Sequence, residues 1–309
     1  MSRALVSAQT PSTEPRPAAK AAPAPAAPEF KSLRGDVGYF TARGGTIGWL
    51  ANKDALAAVD TQFPDTAKIF LEGLPGRGGR QLDLLINTHH HGDHTGGNSV
   101  FKPVTKLIVA QANVPSLQRA AAERAEKTGN VQPWAKVEAQ IYADTTFPET
   151  WHTSFGSETV SAKYFGAAHT KGDIVTHFEK ANVVHMGDLM FNRVYPVIDR
   201  PGGASIRHWV VVLETVAKAY PADAIYIFGH GNAKFGVTGK RDELLVLRDY
   251  FSALLDYTQK KIAAGEPKEK VVVLENLPGF ADFHLPVGPQ NRLPLNLGVA
   301  YDELTEKSK

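Results

Sequence analysis

The sequence predicts an α/β protein in which two β-rich halves are covered by helices within one compact unit. Short apolar runs alternate with longer stretches of helical periodicity, in the order strands, helix, strands, helix, strand, helix. With 309 residues, 43% of them apolar, the chain can bury a substantial core. No run approaches the roughly 18 apolar residues of a membrane-spanning helix, so we expect no membrane partner.

The first 30 residues differ in composition from the rest. Residues 1–30 are rich in alanine and proline and show no regular period, so we expect a disordered leader. Residues 4–8 resemble the end of a trimmed secretory signal, while a plain flexible leader explains the composition equally well. A periplasmic or secreted location is slightly favoured over the cytoplasm, and the compartment stays open. Residues 31–309 are expected to form one folded domain.

The first half of this domain is expected to supply strands followed by a helix. Residues 37–51 are rich in β-forming residues and are interrupted by Gly44-Gly45, which is typical of a hairpin. A helix should begin near Pro115, because proline suits the first helical turn. Further short apolar runs predict buried strands at residues 55–59, 82–86 and 107–110.

The second half repeats this pattern. Apolar residues at helical spacing predict helices over residues 209–220 and 244–262. Residues 127–158 are interpreted as a long irregular insert, and the proline-rich extension after Gly265 as loop with a short last helix at 299–304. Strands are expected at residues 159–165, 174–178, 183–186 and 224–228.

Composition excludes several kinds of site. Without cysteine, the chain has no disulfide, no thiolate ligand and no cysteine nucleophile. A net charge of +2, with lysine and arginine spread along the chain, makes nucleic acid an unfavoured partner. Eleven histidines remain as the main candidate metal ligands, so their distribution becomes the main question.

Four of these histidines lie in one glycine-rich loop that follows an apolar strand. His89, His91, Asp93 and His94 have the spacing H-x-H-x-D-H. In an extended stretch, residues i and i+2 project to the same side, so His89 and His91 can bind one cation together. A following turn can direct Asp93 and His94 to a second cation. Burying these polar groups without a metal would be costly, which weighs against a purely structural role.

Three further candidate ligands follow predicted strands. His169, Asp188 and His230 each lie near a glycine, as close packing of backbone around a metal centre requires. The order and spacing of the whole set resemble the metallo-β-lactamase superfamily of hydrolases, over roughly residues 37–262. The resemblance implies a four-layer αββα sandwich with the metals at one edge of the two sheets.

The resemblance also implies a role for each ligand. His89, His91 and His169 would form the first metal site. Asp93, His94 and His230 would form the second, and Asp188 would bridge both metals. Many true β-lactamases of this superfamily carry a cysteine or a non-binding serine at the position of Asp188. An aspartate there is similar to the glyoxalase II, lactonase and phosphodiesterase branches, so the fold name does not give the substrate.

The ligand set predicts the chemistry. Imidazoles and carboxylates without sulfur suit two Zn²⁺ ions best, with manganese, iron or cobalt as alternatives. The pKa of a water that bridges two such metals falls far below that of bulk water, to roughly 7. Asp93 can bind metal and orient the resulting hydroxide. The leading hypothesis is a binuclear zinc hydrolase that cleaves an amide, ester or lactone carbonyl of a small molecule, β-lactams included, without a covalent intermediate.

Three alternatives stay open. A thioester hydrolase resembling glyoxalase II would be expected to carry basic residues in a helical C-terminal region, and the proline-rich tail shows no clear match. A phosphodiesterase or nuclease should show a basic groove. A sulfur dioxygenase would use a single iron in a similar pocket, so metal analysis separates it from the others. The oligomeric state is left open.

Loops near the metals should select the substrate. Residues 191–196 follow the bridging aspartate directly, so Arg193 could pair with a substrate carboxylate and Tyr195 could donate to a developing oxyanion. An exposed arginine and a packed tyrosine are the other interpretation. One wall of the cleft could be formed by the aromatic residues of the insert, Phe147, Trp134 and Trp151.

Several residues have two interpretations. Asp60 and Asp173 could orient ligand imidazoles or cap turns. His90 faces away from its neighbours in an extended stretch, so it is not expected to bind a metal, though it could line the rim. His185 could support Asp188 from behind. Ordinary surface or core roles are expected for His152, His177, His208 and His284.

Overall fold

The structure is a computed structural model that describes residues 27–129, 131–283 and 292–306. The expectations for the leader up to residue 26 and for His284 lie outside these ranges. Among the described residues, no helix is both long and apolar enough to cross a membrane.

The first half of the chain forms a seven-stranded sheet whose strands lie side by side in sequence order. The first four strands are antiparallel and the remaining neighbours are parallel. Its strands are β1 (Glu29–Arg34), β2 (Val37–Thr41), β3 (Ile47–Ala51), β4 (Leu56–Val59), β5 (Leu84–Asn87), β6 (Ile108–Gln111) and β7 (Thr145–Phe147).

The second half forms a six-stranded sheet in the order β15-β13-β11-β10-β9-β8. Its strands are β8 (Thr150–Phe155), β9 (Glu158–Tyr164), β10 (Ile174–Phe178), β11 (Val183–His185), β13 (Ile225–Ile227) and β15 (Thr238–Gly239). The short strands β12 (Phe191–Asn192) and β14 (His230–Gly231) pair in parallel beside it.

The described α-helices follow the strands in both halves. They are α1 (Pro64–Gly73), α2 (Gly92–Thr95), α3 (Asn98–Phe101), α4 (Val114–Lys127), α5 (Ile206–Ala219), α6 (Arg241–Ala263), α7 (Lys268–Val271) and α8 (Leu293–Thr305). Helix α5 begins where the Ser205 side chain accepts a hydrogen bond from the His208 backbone N–H.

Apolar residues on both faces of each sheet produce four layers. Between the sheets, Val59 and Ile86 share one core with Ile174 and Val183. Helix α1 covers the outer face of the first sheet, and helices α5, α6 and α8 cover the outer face of the second. Burial on both faces explains why β4 is apolar throughout, without alternation. The predicted αββα sandwich is therefore confirmed.

Some predicted boundaries were wrong. Strand β1 begins at Glu29, inside the predicted leader, and Phe30 packs against Phe40 and Phe70. The insert at 127–158 is not wholly irregular, since it contains β7 and β8, and β8 alternates exposed and half-buried residues as a strand does. The last helix begins at Leu293 rather than at residue 299, and α1 was not predicted.

Candidate metal centre

The loop that follows β5 places the predicted motif at the carboxyl end of this strand. His91 keeps an extended backbone and directly precedes α2, so the chain turns into a helix at this residue. Asp93 and His94 therefore lie in the first helical turn, on a different part of the loop from His89. This local change from extended chain to helix lets one short motif supply residues to both of the groups described below.

Three turns at the ends of other strands bring in the remaining candidates. Gly187, two residues after the end of β11, adopts a positive φ of 49°, and its N–H donates to Nδ1 of His185 at 3.1 Å. Asp188 is thereby turned back towards the motif loop. A Cβ atom at Gly229 would lie 2.0 Å from Oδ1 of Asp188, so only glycine fits before His230.

The candidates form two groups of potential ligand atoms, each with all its atoms within 4.8 Å of one another. The first group consists of His89, His91, His169 and Asp188. The second consists of Asp93, His94 and His230.

Asp188 lies between the two groups. Its Oδ2 atom is 3.4 Å from Nε2 of His169 and 3.9 Å from Nε2 of His89. Its Oδ1 atom is 3.0 Å from Nε2 of His94 and 3.4 Å from Nε2 of His230. Each oxygen of this carboxylate thus faces a different group, as a bridging ligand would.

The outer nitrogens of two imidazoles in the first group have acceptors that fix their tautomers. Nδ1 of His169 is 2.9 Å from the carbonyl oxygen of Val197, which can only accept, so this nitrogen carries the proton. Nε2 of His91 is 2.9 Å from Oδ2 of Asp199. The two inner nitrogens, His169 Nε2 and His91 Nδ1, then present lone pairs to each other at 2.9 Å. Such facing lone pairs are favourable only when a cation or a proton is shared between them.

Asp60 connects the two groups from behind. Its carboxylate accepts from the Thr88 backbone N–H and hydroxyl, both at 2.7 Å, and from Nδ1 of His94 at 2.7 Å. Because the Thr88 hydroxyl hydrogen is used in this way, its oxygen accepts from Nδ1 of His89 at 3.0 Å. Both imidazoles therefore direct Nε2 into the site, and neither Nε2 has a hydrogen bond of its own although both are buried.

Electrostatics within the centre favour positive charge. Burial lowers the pKa of His169 to about 3 and holds that of His89 well below its usual value, so both rings are neutral. At His94, burial opposes protonation, but Asp188, Asp93 and Asp60 together raise the pKa well above its usual value. At His230, burial is likewise outweighed by Asp188 and the pKa rises to about 9. Neutral imidazoles and buried carboxylates together are the donors a divalent cation requires.

A family model described as the metallo-beta-lactamase superfamily matches residues 41–274. The chain belongs to this superfamily. Membership confirms the fold and the hydrolase class that the motif predicted, and the histidine and aspartate groups of the structure could hold the metal ions that such enzymes typically bind. The identity and the number of the metals belong to the proposal below.

Three relatives illustrate the family. A hydroxyacylglutathione hydrolase from Methylococcus capsulatus is 31% identical over 193 residues, which cover 60% of this chain and 62% of that protein. The chain thus spans less than two thirds of this relative. A double mutant of the sec-alkyl sulfatase PisA1 has a TM-score of 0.65 at 14% identity, covering 90% of this chain and 50% of that one. A metallo-beta-lactamase from Pontibacter korlensis has a TM-score of 0.56 at 15% identity, covering 73% and 99%. These two structures support the superfamily fold alone.

Arg193 and Tyr195, the two residues predicted to bind substrate, belong to neither of the two groups of potential ligands. Tyr195 is buried in the core beside α6, with its ring 6.0 Å from that of Tyr250 and 6.1 Å from that of Phe283. The expected hydrogen bond from Tyr195 to substrate is therefore not supported, since the tyrosine is packed. Arg193 donates to Oδ1 of Asn192 at 2.6 Å and stacks on Phe235 at 4.3 Å.

One of the three predicted wall aromatics lies against the motif loop. Atoms of the Trp134 indole lie 2.8–2.9 Å from where a Cβ atom of Gly92 would be, and Gly96 is similarly close, so the ring rests on α2. Phe63 meets this indole edge-on at 5.3 Å. The other two predicted wall residues lie elsewhere: Phe147 is buried in the core between the sheets, and Trp151 packs against that core from β8.

Asp199 is the residue that the sequence did not indicate. It precedes Arg200-Pro201-Gly202-Gly203, where an aspartate is the ordinary cap of a turn, and its Oδ1 does accept from the Gly202 N–H at 3.0 Å. Yet its Oδ2 also reaches Nε2 of His91 and lies 3.4 Å from Nε2 of His90. His90, for which a place at the rim was one interpretation, is buried.

The remaining aspartates and histidines differ in what they contact. Asp60 orients an imidazole, whereas Asp173 caps a turn by accepting from the N–H and hydroxyl of Thr170. His185 supports the turn before Asp188, as anticipated. His208, expected to be ordinary, holds the loop before His169 by contacting the Ala167 carbonyl at 2.7 Å.

Proposed function

We propose that the chain is a hydrolase that holds two divalent cations, zinc being the best match to its donors, and cleaves an ester, lactone or amide carbonyl of a small molecule. The position of Asp188 carries this proposal, because its two oxygens face two separate groups of imidazoles. A single-metal site would need only one of these groups.

The first cation would be held by His89, His91 and His169, the second by Asp93, His94 and His230, and both by Asp188. When bound, the cations supply a hydroxide nucleophile near neutral pH and polarise the carbonyl.

Exposure indicates where substrate approaches. The side chains of Asp93, His91 and His230 are 29%, 21% and 20% exposed, whereas those of His89, His94 and His169 are at most 1% exposed. Asp93 is therefore the carboxylate that water and substrate can reach. Its Oδ2, 3.2 Å from Nε2 of His230, can accept a hydrogen bond from the attacking water and orient it.

A thioester is the second candidate substrate. The relative from Methylococcus capsulatus is named a hydroxyacylglutathione hydrolase, and a thioester is attacked at a carbonyl carbon by the same kind of nucleophile. Since bound cations would supply the nucleophile and polarise the carbonyl in either case, the proposal covers oxygen esters and thioesters alike.

Metal content and a substrate panel test the proposal. Protein purified without chelator should contain close to two metals per chain; a metal-free, fully folded protein would contradict the assignment. With added zinc, kcat/KM should be compared for a lactone, nitrocefin, a hydroxyacylglutathione thioester and a phosphodiester. Preference for the thioester would select the second candidate, and activity confined to the phosphodiester would refute carbonyl hydrolysis. A burst of product equal to the enzyme concentration would contradict the absence of a covalent intermediate.

A further inference from the structure

The segment from Val197 to Asp199 lies beside two imidazoles of the first group. The Val197 carbonyl accepts from Nδ1 of His169, and two residues later the Asp199 carboxylate is 2.9 Å from Nε2 of His91. One short segment thus contacts the outer nitrogens of both rings whose inner nitrogens face each other at 2.9 Å. Its position determines how those inner nitrogens meet.

The Asp199 side chain is itself held in place. Its Oδ1 accepts from the Gly202 N–H at 3.0 Å, and only 13% of the side chain is exposed. A Cβ atom at Gly202 would lie 2.0 Å from Oδ2, so the absence of a side chain there lets the backbone approach the carboxylate. The same Oδ2 atom that contacts His91 therefore has little freedom to move.

We propose that Asp199 is a positioning residue for metal binding: it accepts the Nε2 proton of His91 and so presents Nδ1 to the first cation. This inference rests on the proposed function. A carboxylate that accepts from the outer nitrogen of a ligand imidazole fixes its tautomer, sets the ring plane and makes the inner nitrogen more basic. Here it does so for the most exposed imidazole of the first group, the one with the least packing to hold it.

A separate cation among His90, His91 and Asp199 is the competing explanation, because their potential ligand atoms also lie within 4.8 Å of one another. Such a cation would bind Nε2 of His91 and move the ring proton to Nδ1. That proton would then point at Nε2 of His169 and remove His91 from the first group. The two arrangements exclude each other, so one experiment can separate them.

The test uses the full chain with Asp199→Asn as the main variant. The new amide oxygen can still accept from the Gly202 N–H, so the turn is kept. The amide nitrogen, however, is a donor, so the Nε2 proton of His91 would have no acceptor there. Gly202→Ala displaces the carboxylate without changing its charge. Asp144→Asn is the matched control, because Asp144 also accepts a backbone N–H, that of Ile108, and pairs with a cationic side chain, Lys102, but no imidazole.

Metal-free protein is titrated with Co²⁺, followed by visible absorption, and with Zn²⁺ against a chelator. Both Asp199→Asn and Gly202→Ala should weaken one of the two metal equivalents by roughly 10–100-fold and change the Co²⁺ spectrum, because a ligand has moved. The control should leave affinity and spectrum unchanged. Circular dichroism and thermal melting show whether each variant is folded. If Asp199→Asn does not fold, the metal titration of Gly202→Ala decides the test.

Three results would overturn the inference: unchanged affinity and spectrum in folded variants, an equal loss in the control, or three metal equivalents in the unaltered chain with loss of the third alone. Failure of the proposed function looks different. In that case the unaltered chain binds no metal tightly, whereas in each of the three results above the unaltered chain still holds at least two metals tightly.

Discussion

Replacing Asp60 with asparagine should weaken metal binding in both ligand groups while leaving the protein folded. Asp60 is fully buried and accepts three hydrogen bonds, two from Thr88 and one from His94. In the variant, the amide oxygen can keep the bond from the Thr88 N–H. The amide nitrogen then occupies the place of Oδ2, where two donors now point.

The consequences follow from the donors involved. Nδ1 of His94 loses its acceptor, which costs about 1–3 kcal/mol for a buried donor left unpaired. The amide nitrogen would donate to the Thr88 hydroxyl, whose hydrogen would turn towards Nδ1 of His89. The ring proton of His89 would then move to Nε2, the atom that faces Asp188. Each ring would lose its correct tautomer, and metal affinity should fall by roughly 10–100-fold.

Alanine at the same position should be much more harmful. All three bonds are lost, at a cost of roughly 3–6 kcal/mol. Asp60 also has a positive φ of 68°, which aspartate and asparagine tolerate better than alanine, by about 1 kcal/mol. Because domains are stable by only about 5–15 kcal/mol, Asp60→Ala approaches global unfolding, whereas Asp60→Asn does not.

Urea unfolding of metal-free protein measures the stability change, and Zn²⁺ competition with a chelator measures the affinity change. Asp173→Asn is the matched control, since Asp173 is buried and accepts from a threonine N–H and hydroxyl but orients no imidazole. It should lower stability without altering the metal affinity. Undiminished affinity in folded Asp60→Asn would refute the reasoning.

Three further results are expected. Asp188→Ala removes the carboxylate that faces both groups, so metal analysis should show weaker binding of both metal equivalents. Steady-state kinetics should show turnover reduced at least about 100-fold. Full metal content in this variant would contradict the prediction. In metal-free protein, the pKa of His230, raised from 6.5 to about 9, means that its proton stabilises the fold below pH 6.5 and that this contribution is lost as pH rises to 9. The melting temperature should fall across that window, and zinc should abolish the trend. Tyr195→Phe should leave kcat nearly unchanged. Tyr195→Ala should lower the free energy of unfolding in urea by about 3–5 kcal/mol, because the ring is packed. A large loss of kcat in the phenylalanine variant would instead support a role of the Tyr195 hydroxyl in the reaction.

The arrangement of the motif loop was predictable because its geometry is local, whereas the assignment of ligands to two metal sites followed from the family resemblance. The change from extended chain at His91 to helix at Gly92 separates the two sets within six residues, and periodicity alone describes it. Gly187 precedes Asp188 and Gly229 precedes His230, and the turns that contain these glycines pack closely against each other. The joining of the two sheet halves, which brings His169 to His91, followed from the family resemblance rather than from the residues.

The supporting residues were not predictable in the same way. Asp60 directly follows β4 and Asp173 directly precedes β10. Both lie beside polar residues, and only the fold shows which of them has an imidazole as donor. Asp199 precedes a proline-glycine turn and performs the ordinary capping as well, so no local signal reveals its second contact. For Tyr195 the sequence left a substrate contact and a packed ring as alternatives, because the pattern around it does not show that α6 covers it.

The structure also explains why the chemistry was more predictable than the substrate. The first group is largely enclosed, and the outer nitrogens of its imidazoles contact Thr88, Val197 and Asp199. The second group is more open at Asp93 and His230, and aromatic rings flank both: Phe191 stacks on His230 at 5.2 Å, and Trp134 rests on the helix of Asp93. Under the proposed function, the enclosed side would hold the metals, and its histidines are among the residues that the motif encodes. Substrate selection would then fall to apolar surfaces that come from distant strands and loops. A side chain there can change without altering the motif, so the motif carries no record of the substrate.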